Sequence, residues 1–205
     1  MHPEKLLLAT NNPGKVREYK SLLEGIPYEI VTPAGQGISG EVEETGATFE
    51  ENARLKAAAL AAASGLLSLA DDSGLEVAAL GGEPGPRSRR YAGEGATDAE
   101  RISYLLDRLK DVPEAGRAAR FVCVIAVAAP DGLVGTCEGE CRGVITREPR
   151  GEGGFGYDPV FYLPELGKTM AELPPEEKNR VSHRARAAEK AREMLMKLAR
   201  QKGKQ

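Results

Sequence analysis

Short apolar runs alternate with segments of helical periodicity in the first part of the chain. The runs at residues 5–10, 28–32 and 65–70 have the length of buried strands, and residues 75–80 predict a further strand. Residues 16–23 place apolar side chains at helical spacing between the first two runs. Strands that alternate with helices predict an α/β fold.

Two capping boxes mark the starts of further helices. Thr48 is followed three residues later by Glu51, and Thr97 by Glu100, so each side chain of a pair can bond the backbone N–H of the other. We predict helices from these positions to about residue 64 and about residue 110. From Ser182 onward, apolar residues at helical spacing predict a long amphipathic helix whose basic face is solvated.

A hairpin is predicted in the second half of the chain. Residues 120–129 and 133–140 flank Pro130-Asp131-Gly132, and residues 158–163 predict one more strand. A hairpin among strand–helix units predicts a mixed central sheet with flanking helices. With 205 residues, 41% of them hydrophobic, the chain suffices for a single domain over residues 1–205. We expect the residues after about 200 to form a frayed tail.

Charge and apolar content limit the class of partner. The net charge of −3 gives no overall attraction to polyanions, and no aromatic residue lies among the basic residues of the last helix, so we predict no nucleic-acid partner. No N-terminal segment resembles a signal peptide. The longest apolar stretch, residues 57–70, is shorter than the ~20 residues that span a bilayer. We therefore expect a soluble, cytoplasmic protein without a membrane partner.

The three cysteines are consistent with a reducing compartment. Cys137 and Cys141 lie four residues apart in a predicted strand, which separates their Cα atoms by about 13 Å, beyond the reach of a disulfide. Cys123 lies in an apolar run and is expected to be a small core residue. We predict that all three are reduced and structural.

The first candidate for chemistry is the pair of acids in Asp71-Asp72-Ser73-Gly74. They follow the apolar run at residues 65–70, which predicts a strand that ends in a turn and carries two carboxylates to the rim of the sheet. Ligands of open α/β folds bind at such a rim, and paired carboxylates suit Mg²⁺. A solvated turn without a ligand is the alternative interpretation.

The second candidate is the loop after the first strand. Asn11-Asn12-Pro13-Gly14-Lys15 joins that strand to a helix, an arrangement that presents backbone N–H groups and a positive helix end to an anion. It is not a Walker A loop, because Val16 rather than Ser or Thr follows the lysine. An ordinary strand-to-helix connection is the alternative.

A glycine-rich segment forms the third candidate. Residues 151–156 match the dinucleotide pattern G-x-G-x-x-G, but that pattern needs a helix after it, and the residues that follow predict a strand. The glycines instead predict a mobile loop that lets Phe155 approach a flat ligand. A phenylalanine of the core is the alternative.

These candidates belong to a set of five motifs that occur in a fixed order. The motifs are Thr10-Asn11-Asn12-Pro13-Gly14-Lys15, Thr48-Phe49-Glu50-Glu51-Asn52-Ala53, Asp71-Asp72-Ser73-Gly74-Leu75, Gly154-Phe155-Gly156-Tyr157-Asp158-Pro159 and Ser182-His183-Arg184. Together they resemble the inosine triphosphate pyrophosphatase family, the bacterial-type pyrophosphatases of noncanonical purine nucleoside triphosphates. The resemblance runs from Leu6 to Arg184.

The resemblance implies a fold, a reaction and a cofactor. The fold would have two lobes around a nucleotide-binding cleft, and the protein would be a homodimer. The reaction would convert ITP, dITP, XTP and dXTP to the monophosphate and pyrophosphate, which cleanses the nucleotide pool. One Mg²⁺ ion per site is expected, with Mn²⁺ as a possible substitute. The alternative is a purine nucleotide-binding module without catalysis, in which Asp72 would be idle.

The resemblance also assigns roles to individual residues. Asp72 would be the general base and a metal ligand when water attacks the α-phosphorus, and Glu41 would be the second metal ligand, with Glu44 as the fallback. A solvated acidic loop is the alternative interpretation of the segment that contains Glu41. Metal and fixed cations would stabilise the charge on the phosphate oxygens. The substrate-binding residues would be Thr10, Asn11, Asn12, Pro13, Gly14, Lys15, Lys56, Asp71, Ser73, Phe155, Gly156, Tyr157, Asp158, Lys178, His183 and Arg184.

Physical arguments refine the roles of the cations. Lys56 lies one helical turn beyond Asn52, so we expect the amide and the ammonium to share one phosphate. A solvated lysine on the helix surface is the alternative for Lys56. Lys15 is a further phosphate contact by resemblance. His183 and Arg184 fall in the first turn of the last helix, where a cation opposes the helix dipole, and this indicates an anion nearby.

Recognition of the base is assigned to residues 155–158 by resemblance. Phe155 would stack on the purine, while Asp158 or neighbouring backbone groups would read the ring edge. A 6-keto purine has a protonated N1 that donates to an acceptor, whereas adenine has none, so buried polar groups can reject the wrong edge. One loop, residues 82–93, departs from the family pattern at Pro86 and Arg89, where Val and Ala are usual.

Overall fold

A computed structural model describes residues 3–40 and 42–202 and contains one mixed sheet of seven strands. The strands are β1 (Glu4–Leu8), β2 (Tyr28–Val31), β3 (Leu67–Val77), β4 (Ala118–Ala129), β5 (Gly132–Ile145), β6 (Phe161–Leu163) and β7 (Lys168–Thr169). Their order in the sheet is β2-β1-β3-β4-β5-β6-β7. Strand β1 pairs in parallel with β2 and β3, whereas β6 is antiparallel to β5 and β7. The predicted mixed sheet with flanking helices is confirmed.

Five helices accompany the sheet within the described residues. They are α1 (Pro13–Leu22), α2 (Phe49–Ser64), α3 (Asp98–Arg108), α4 (Pro175–Val181) and α5 (His183–Lys202). Both predicted capping boxes are formed, at the starts of α2 and α3. Extended backbone at Ser182 ends α4, so α5 begins at the next residue. None of the helices described here has the length and apolar character that crossing a membrane requires.

The prediction of a turn at the paired acids was wrong. Strand β3 continues from Leu67 to Val77, through Asp71 and Asp72, and the side chains of both acids are buried. Turn propensity reflects side chains that bond their own local backbone or water. Here other side chains bond the carboxylates, so the extended backbone is retained. The two acids therefore lie within a strand rather than at its end.

The strand predicted over residues 158–163 was also partly wrong. Residues Asp158–Val160 form a single 3₁₀ turn, and only Phe161–Leu163 is a strand. The Asp158 carboxylate accepts the backbone N–H of Phe155 at 2.9 Å, which closes the chain into a turn at this point.

The chain divides into two compact units, each with its own core. Unit 1 contains the described residues of Met1–Asp72, Cys123–Gly139 and Ala185–Gln205, and unit 2 contains Ser73–Val122 and Glu140–Arg184. The core of unit 1 includes Leu6, Leu8, Tyr19, Leu69, Ile125, Val127 and Leu195. The core of unit 2 includes Leu75, Ile102, Leu105, Phe121, Tyr157, Phe161 and Met170.

The first testable prediction concerns the capping box of α2. Thr48 Oγ1 accepts the N–H of Glu51 at 3.1 Å, and Glu51 Oε2 accepts the N–H groups of Ala47 and Thr48 at 2.6 and 3.3 Å. Thr48→Ala removes the acceptor at the helix start, so we expect the free energy of unfolding to fall by about 1 kcal/mol. Urea titration followed by circular dichroism measures the loss. Thr48→Ser retains the hydroxyl and should behave as the wild type; equal losses in the two variants would contradict the cap.

Candidate active site

The residues predicted to form the site fall into two groups, one in each unit. Unit 1 holds residues 10–15, Lys56, Asp71 and Asp72, and unit 2 holds Ser73, residues 155–158, Lys178, His183 and Arg184. Glu41, predicted to be a metal ligand, lies outside the described residues.

The loop at residues 10–15 brings a cation to the first acid of the pair. Asn12 caps α1, because its Oδ1 accepts the N–H groups of Gly14 and Lys15 at 2.8 and 3.1 Å. Lys15 then extends from the first turn of α1, and its Nζ lies 2.9 Å from Asp71 Oδ2. The Cys123 thiol approaches the same oxygen at 3.8 Å. Asp71 is therefore a buried anion compensated by a lysine of the predicted phosphate loop.

The other residues of this loop define its path. Thr10 Oγ1 accepts the N–H of Asn12 at 3.2 Å, and Pro13 occupies the start of α1, where a missing N–H costs nothing. Asn11 is exposed. The loop thus combines an exposed polar segment with a helix N-terminus and a lysine, which is the composition of an anion site.

Two side chains from one face of α2 bind the second acid. Lys56 Nζ lies 3.1 Å from Asp72 Oδ1, and Asn52 Nδ2 donates to Asp72 Oδ2 at 3.2 Å. Lys56 also binds Glu44 Oε1 at 2.8 Å. The sequence predicts that Asn52 and Lys56 share a phosphate. In the structure the two side chains instead both bind the Asp72 carboxylate.

Burial changes the acidity of this cluster. It raises the pKa of the Asp72 carboxyl above its usual value, and the nearby Lys56 opposes that shift without cancelling it. Burial would lower the pKa of Lys56, but Asp72, Asp71 and Glu44 together raise it above its ordinary value. Asp72 therefore binds a proton more readily than an exposed aspartate does, and Lys56 stays charged.

The donors of unit 1 fit a magnesium ion that also binds phosphate. Mg²⁺ is usually held by one or two carboxylates together with substrate phosphates and water. Asp72 and Glu44 supply two carboxylates joined through Lys56. Within residues 3–40 and 42–202, no cluster of three or more His, Cys, Asp or Glu side chains could hold a metal by itself. Two carboxylates are the number that a magnesium ion shared with substrate phosphates usually takes from a protein.

In unit 2, two carboxylates hold the backbone of the glycine-rich loop. The N–H of Phe155 donates to Asp158 Oδ2 at 2.9 Å, and the N–H of Gly156 donates to Asp98 Oδ2 at 2.7 Å. Gly154 has a φ of 72°, and a Cβ there would lie 2.0 Å from Asp158 Oδ2. Glycine is therefore required at this position by both conformation and space.

Two cations lie over the ring of Phe155. Lys178 Nζ is 4.8 Å from the ring centroid, and the Arg184 guanidinium carbon is 5.5 Å from it. Lys178 Nζ also binds Asp158 Oδ2 at 2.6 Å, with both side chains buried. The ring of Phe155 is only half-buried, so it is not a core phenylalanine. This group combines an aromatic face with positive charge.

The residues at the start of α5 are buried within unit 2. Arg184 Nη2 donates to Ser73 Oγ at 2.9 Å. The His183 ring stacks on Phe121, with centroids 4.7 Å apart and an interplanar angle of 16°. Packing therefore fixes both side chains in place, and Arg184 is joined to Phe155 and to the residue that follows the acid pair.

Tyr157 has a different environment from its neighbours. Its ring belongs to the core of unit 2, its hydroxyl donates to the carbonyl oxygen of Ser88 at 2.9 Å, and burial raises its pKa. The side chain of Tyr157 therefore anchors the loop to the core.

Sequence reasoning missed the anchoring residues. Asp98 and Ser88 hold the glycine-rich loop from positions 58 and 69 residues away in the chain. Asp98 resembles any acid in the first turn of a helix, so no local pattern identifies it. The sequence placed Asn52 on the correct face of α2, but it did not identify Asp72 as the partner of the Asn52 amide.

A model of the Ham1 family matches residues 6–194 of the chain. The dITP/XTP pyrophosphatase of Desulforamulus reducens is 54% identical over 194 residues, which cover 95% of this chain and 96% of that protein. A dITP/XTP pyrophosphatase of Thermus thermophilus is 57% identical over 183 residues, 89% of this chain and 87% of that protein. That of Bacillus subtilis is 48% identical over 192 residues, 94% and 97% of the two chains.

Solved structures show the same relationship. A HAM1 protein from Coxiella burnetii has a TM-score of 0.86 and 44% identity, and the match covers 95% of this chain and 99% of that one. A nucleoside-triphosphatase / dITP/XTP pyrophosphatase from Mycobacterium abscessus has a TM-score of 0.74 and 43% identity, with 91% and 98% covered. Because the family match spans most of the sequence and these relatives are similar along nearly their whole length, the chain belongs to the Ham1 family.

Proposed function

We propose that this protein hydrolyses noncanonical purine nucleoside triphosphates, namely ITP, dITP, XTP and dXTP, to the monophosphate and pyrophosphate. Relatives of about half-identical sequence carry the name dITP/XTP pyrophosphatase. The observation that carries the proposal is the buried Asp72 carboxylate, bonded by Lys56 on one oxygen and by Asn52 on the other. An acid with a raised pKa beside a fixed cation suits proton abstraction next to a phosphate.

In this reaction Asp72 acts as the general base. It takes a proton from water while the water oxygen bonds to the α-phosphorus, and the bond from that phosphorus to the oxygen bridging to the β-phosphorus breaks. Pyrophosphate leaves with the bonding electron pair, and the monophosphate retains the new oxygen. In the protein without metal or substrate, burial raises the pKa of the Asp72 carboxyl, so this acid has more affinity for a proton than an exposed aspartate.

The lysines of unit 1 supply charge to the phosphates. Lys15 and Lys56 extend from the first turn of α1 and from α2, each already bound to a carboxylate. We assign them to the triphosphate, together with the polar loop at residues 10–15. Asp72, with Glu41 or Glu44, would hold one Mg²⁺, with Mn²⁺ as a substitute. When bound, the ion neutralises charge on the phosphate oxygens.

We assign recognition of the base to the residues of unit 2 that surround Phe155. The exposed part of the Phe155 ring stacks on the purine, and Lys178, His183 and Arg184 bind the substrate. Asp158 Oδ2 already accepts the N–H of Phe155 and the Lys178 ammonium, so Asp158 reads the 6-keto edge with its other oxygen or through the backbone groups it fixes. Because the Tyr157 side chain is in the core, its contribution and that of Gly156 come from the backbone.

Further properties of the protein also stay predictions. A single functional domain, a cytoplasmic location and the lack of a nucleic-acid partner follow from the sequence arguments above, and a homodimer is what the family resemblance implies. None of the three cysteines forms a disulfide within the described residues.

A panel of nucleotides tests the proposed reaction. The purified protein is incubated with ITP, dITP, XTP, dXTP, GTP or ATP and Mg²⁺, and the products are separated by ion-exchange chromatography. We expect monophosphate and pyrophosphate from the first four, and no product after a chelator removes the metal. Diphosphate and phosphate as the main products would contradict attack at the α-phosphorus. Tight binding with no product from any nucleotide would instead favour a binding module without catalysis.

Asp72→Asn tests the base. The amide keeps the shape of the carboxylate but cannot take the proton, so we expect turnover to be abolished while binding of ITP, measured by calorimetry, persists. Glu43→Gln, which neutralises an exposed acid of the segment that also contains Glu44, is the control and should retain activity. Turnover of the Asp72 variant within a few-fold of the wild type would remove Asp72 from the role.

Phe155→Ala and Asp158→Ala should fail in different ways. Loss of the ring should weaken the binding of every purine substrate by about 1–3 kcal/mol, because the stacking energy depends little on the substituents of the purine ring. Loss of Asp158 removes the acceptor that orients the loop, so the difference in kcat/KM between ITP and ATP should narrow. Asp158→Asn retains an acceptor for the N–H of Phe155 but loses the negative charge. Comparison with Asp158→Ala therefore distinguishes the effect of anchoring the loop from the effect of the charge. If Asp158→Ala slows ITP and ATP equally, selectivity resides elsewhere.

A further inference from the structure

We propose that Asn52 is a positioning residue of the hydrolytic reaction, which ties the Asp72 carboxylate to the acidic segment at residues 42–46. The inference rests on the proposed function, since it takes Asp72 as the base. It gives Asn52, which the sequence analysis assigned to a phosphate together with Lys56, a role toward the Asp72 carboxylate instead.

The first observation is the orientation of the Asn52 amide. The side chain is buried, with 1% of the residue exposed, and its Oδ1 accepts the N–H of Gly46 at 2.8 Å. Because a backbone N–H can only donate, the atom facing Gly46 must be the oxygen. The Nδ2 group therefore faces Asp72 Oδ2, at 3.2 Å. Both ends of the amide are therefore hydrogen-bonded: the oxygen accepts from Gly46, and the NH₂ group donates to Asp72.

The second observation is the close approach of the acidic segment to α2. A Cβ at Gly46 would lie 2.6 Å from Glu51 Cβ and 2.7 Å from Asn52 Oδ1. Real Cβ atoms do not tolerate such distances, so only glycine lets the backbone reach the amide. The bond between Gly46 and Asn52 thus depends on the residue type at both ends.

The third observation is that a parallel link runs one helical turn away. Lys56 joins Glu44 to Asp72 Oδ1, while Asn52 joins Gly46 to Asp72 Oδ2. The two links hold the same segment against the same carboxylate through different oxygens. Since Lys56 is charged and is assigned to a phosphate, its link competes with the substrate. The neutral amide has no such competitor, so the Asn52 link persists and holds Asp72 in one orientation.

A neutral donor also preserves the chemistry of the acid. A second cation in place of Asn52 would face Lys56, whose Nζ already lies 3.1 Å from Asp72 Oδ1, across the same carboxylate. A second carboxylate would repel Asp72. The amide fixes the position of the Asp72 carboxylate while adding no charge, which is what a positioned base requires.

Asn52→Asp and Asn52→Ala separate the two ends of the amide. Asn52→Asp keeps an acceptor for the N–H of Gly46 but replaces the donor to Asp72 with a carboxylate, which repels it. Asn52→Ala removes both bonds. Arg54→Ala, at a half-exposed position of α2 where the guanidinium pairs with Glu50, is the matched control. Each variant is assayed for kcat and KM with ITP and Mg²⁺, and hydrogen exchange of the Gly46 amide is measured without metal or nucleotide.

We expect kcat to fall ~10–100-fold in both Asn52 variants with KM nearly unchanged, as for residues that orient metal ligands. Exchange of the Gly46 amide should rise in Asn52→Ala and stay protected in Asn52→Asp. Arg54→Ala should match the wild type in both measurements. If Asn52 only filled space, the two variants would not combine the same loss of kcat with different exchange rates of the Gly46 amide.

Three results would overturn the inference, and each is distinct from failure of the proposed function. If the wild type releases pyrophosphate but both Asn52 variants keep its kcat, Asn52 does not position the base. If the Gly46 amide exchanges equally fast in the wild type and in Asn52→Ala, the link to the acidic segment is absent. If the Asn52 variants do not fold, Gly46→Ala decides, because unchanged kcat in that variant also contradicts the link. A wild type that releases no pyrophosphate contradicts the proposed function instead, and the exchange measurement still tests the link.

Discussion

The compensation of two adjacent buried carboxylates in β3 is the interaction on which unit 1 depends. Asp71 and Asp72 are almost fully buried, and an uncompensated buried charge costs several kcal/mol. Lys15 offsets the first charge from α1, and Lys56 offsets the second from α2. Because each cation comes from a different helix, the charge balance specifies where both helices lie against β3. The acids therefore organise the structure around them.

In unit 2 a buried carboxylate is likewise compensated by a lysine, but it holds a loop in place rather than lying within a strand. Asp158 is buried and compensated by Lys178, and the same oxygen holds the N–H of Phe155. Gly154 allows the carboxylate to approach the loop backbone, and Asp98 holds the next N–H from α3. A segment rich in glycine, which alone would have many conformations, is thus held at consecutive backbone groups. The position of the Phe155 ring follows from these bonds.

The sequence predicted what depends on local interactions and failed where distant side chains decide. The capping boxes at Thr48 and Thr97 need only residues three positions apart, and both helices begin there. The paired acids have turn propensity, but the lysines that keep them in a strand come from 56 and 16 positions earlier in the chain. No local pattern reveals such partners. The motifs located the groups of the candidate site, whereas the hydrogen bonds of Asn52 and Asp98 required the structure.

The charge balance of unit 1 also constrains how a triphosphate can bind there under the proposed function. Lys15 and Lys56 are each bound to a carboxylate, so a lysine that turns to a phosphate leaves its acid uncompensated. An uncompensated Asp72 beside phosphate oxygens would repel them, and the burial that raises its pKa makes the penalty larger. A divalent cation bound with the nucleotide would restore the balance, because it would neutralise the acid that the lysine leaves. Under the proposed function, the charge of the protein groups is therefore a second reason, beside the charge of the phosphates, to expect dependence on a divalent metal.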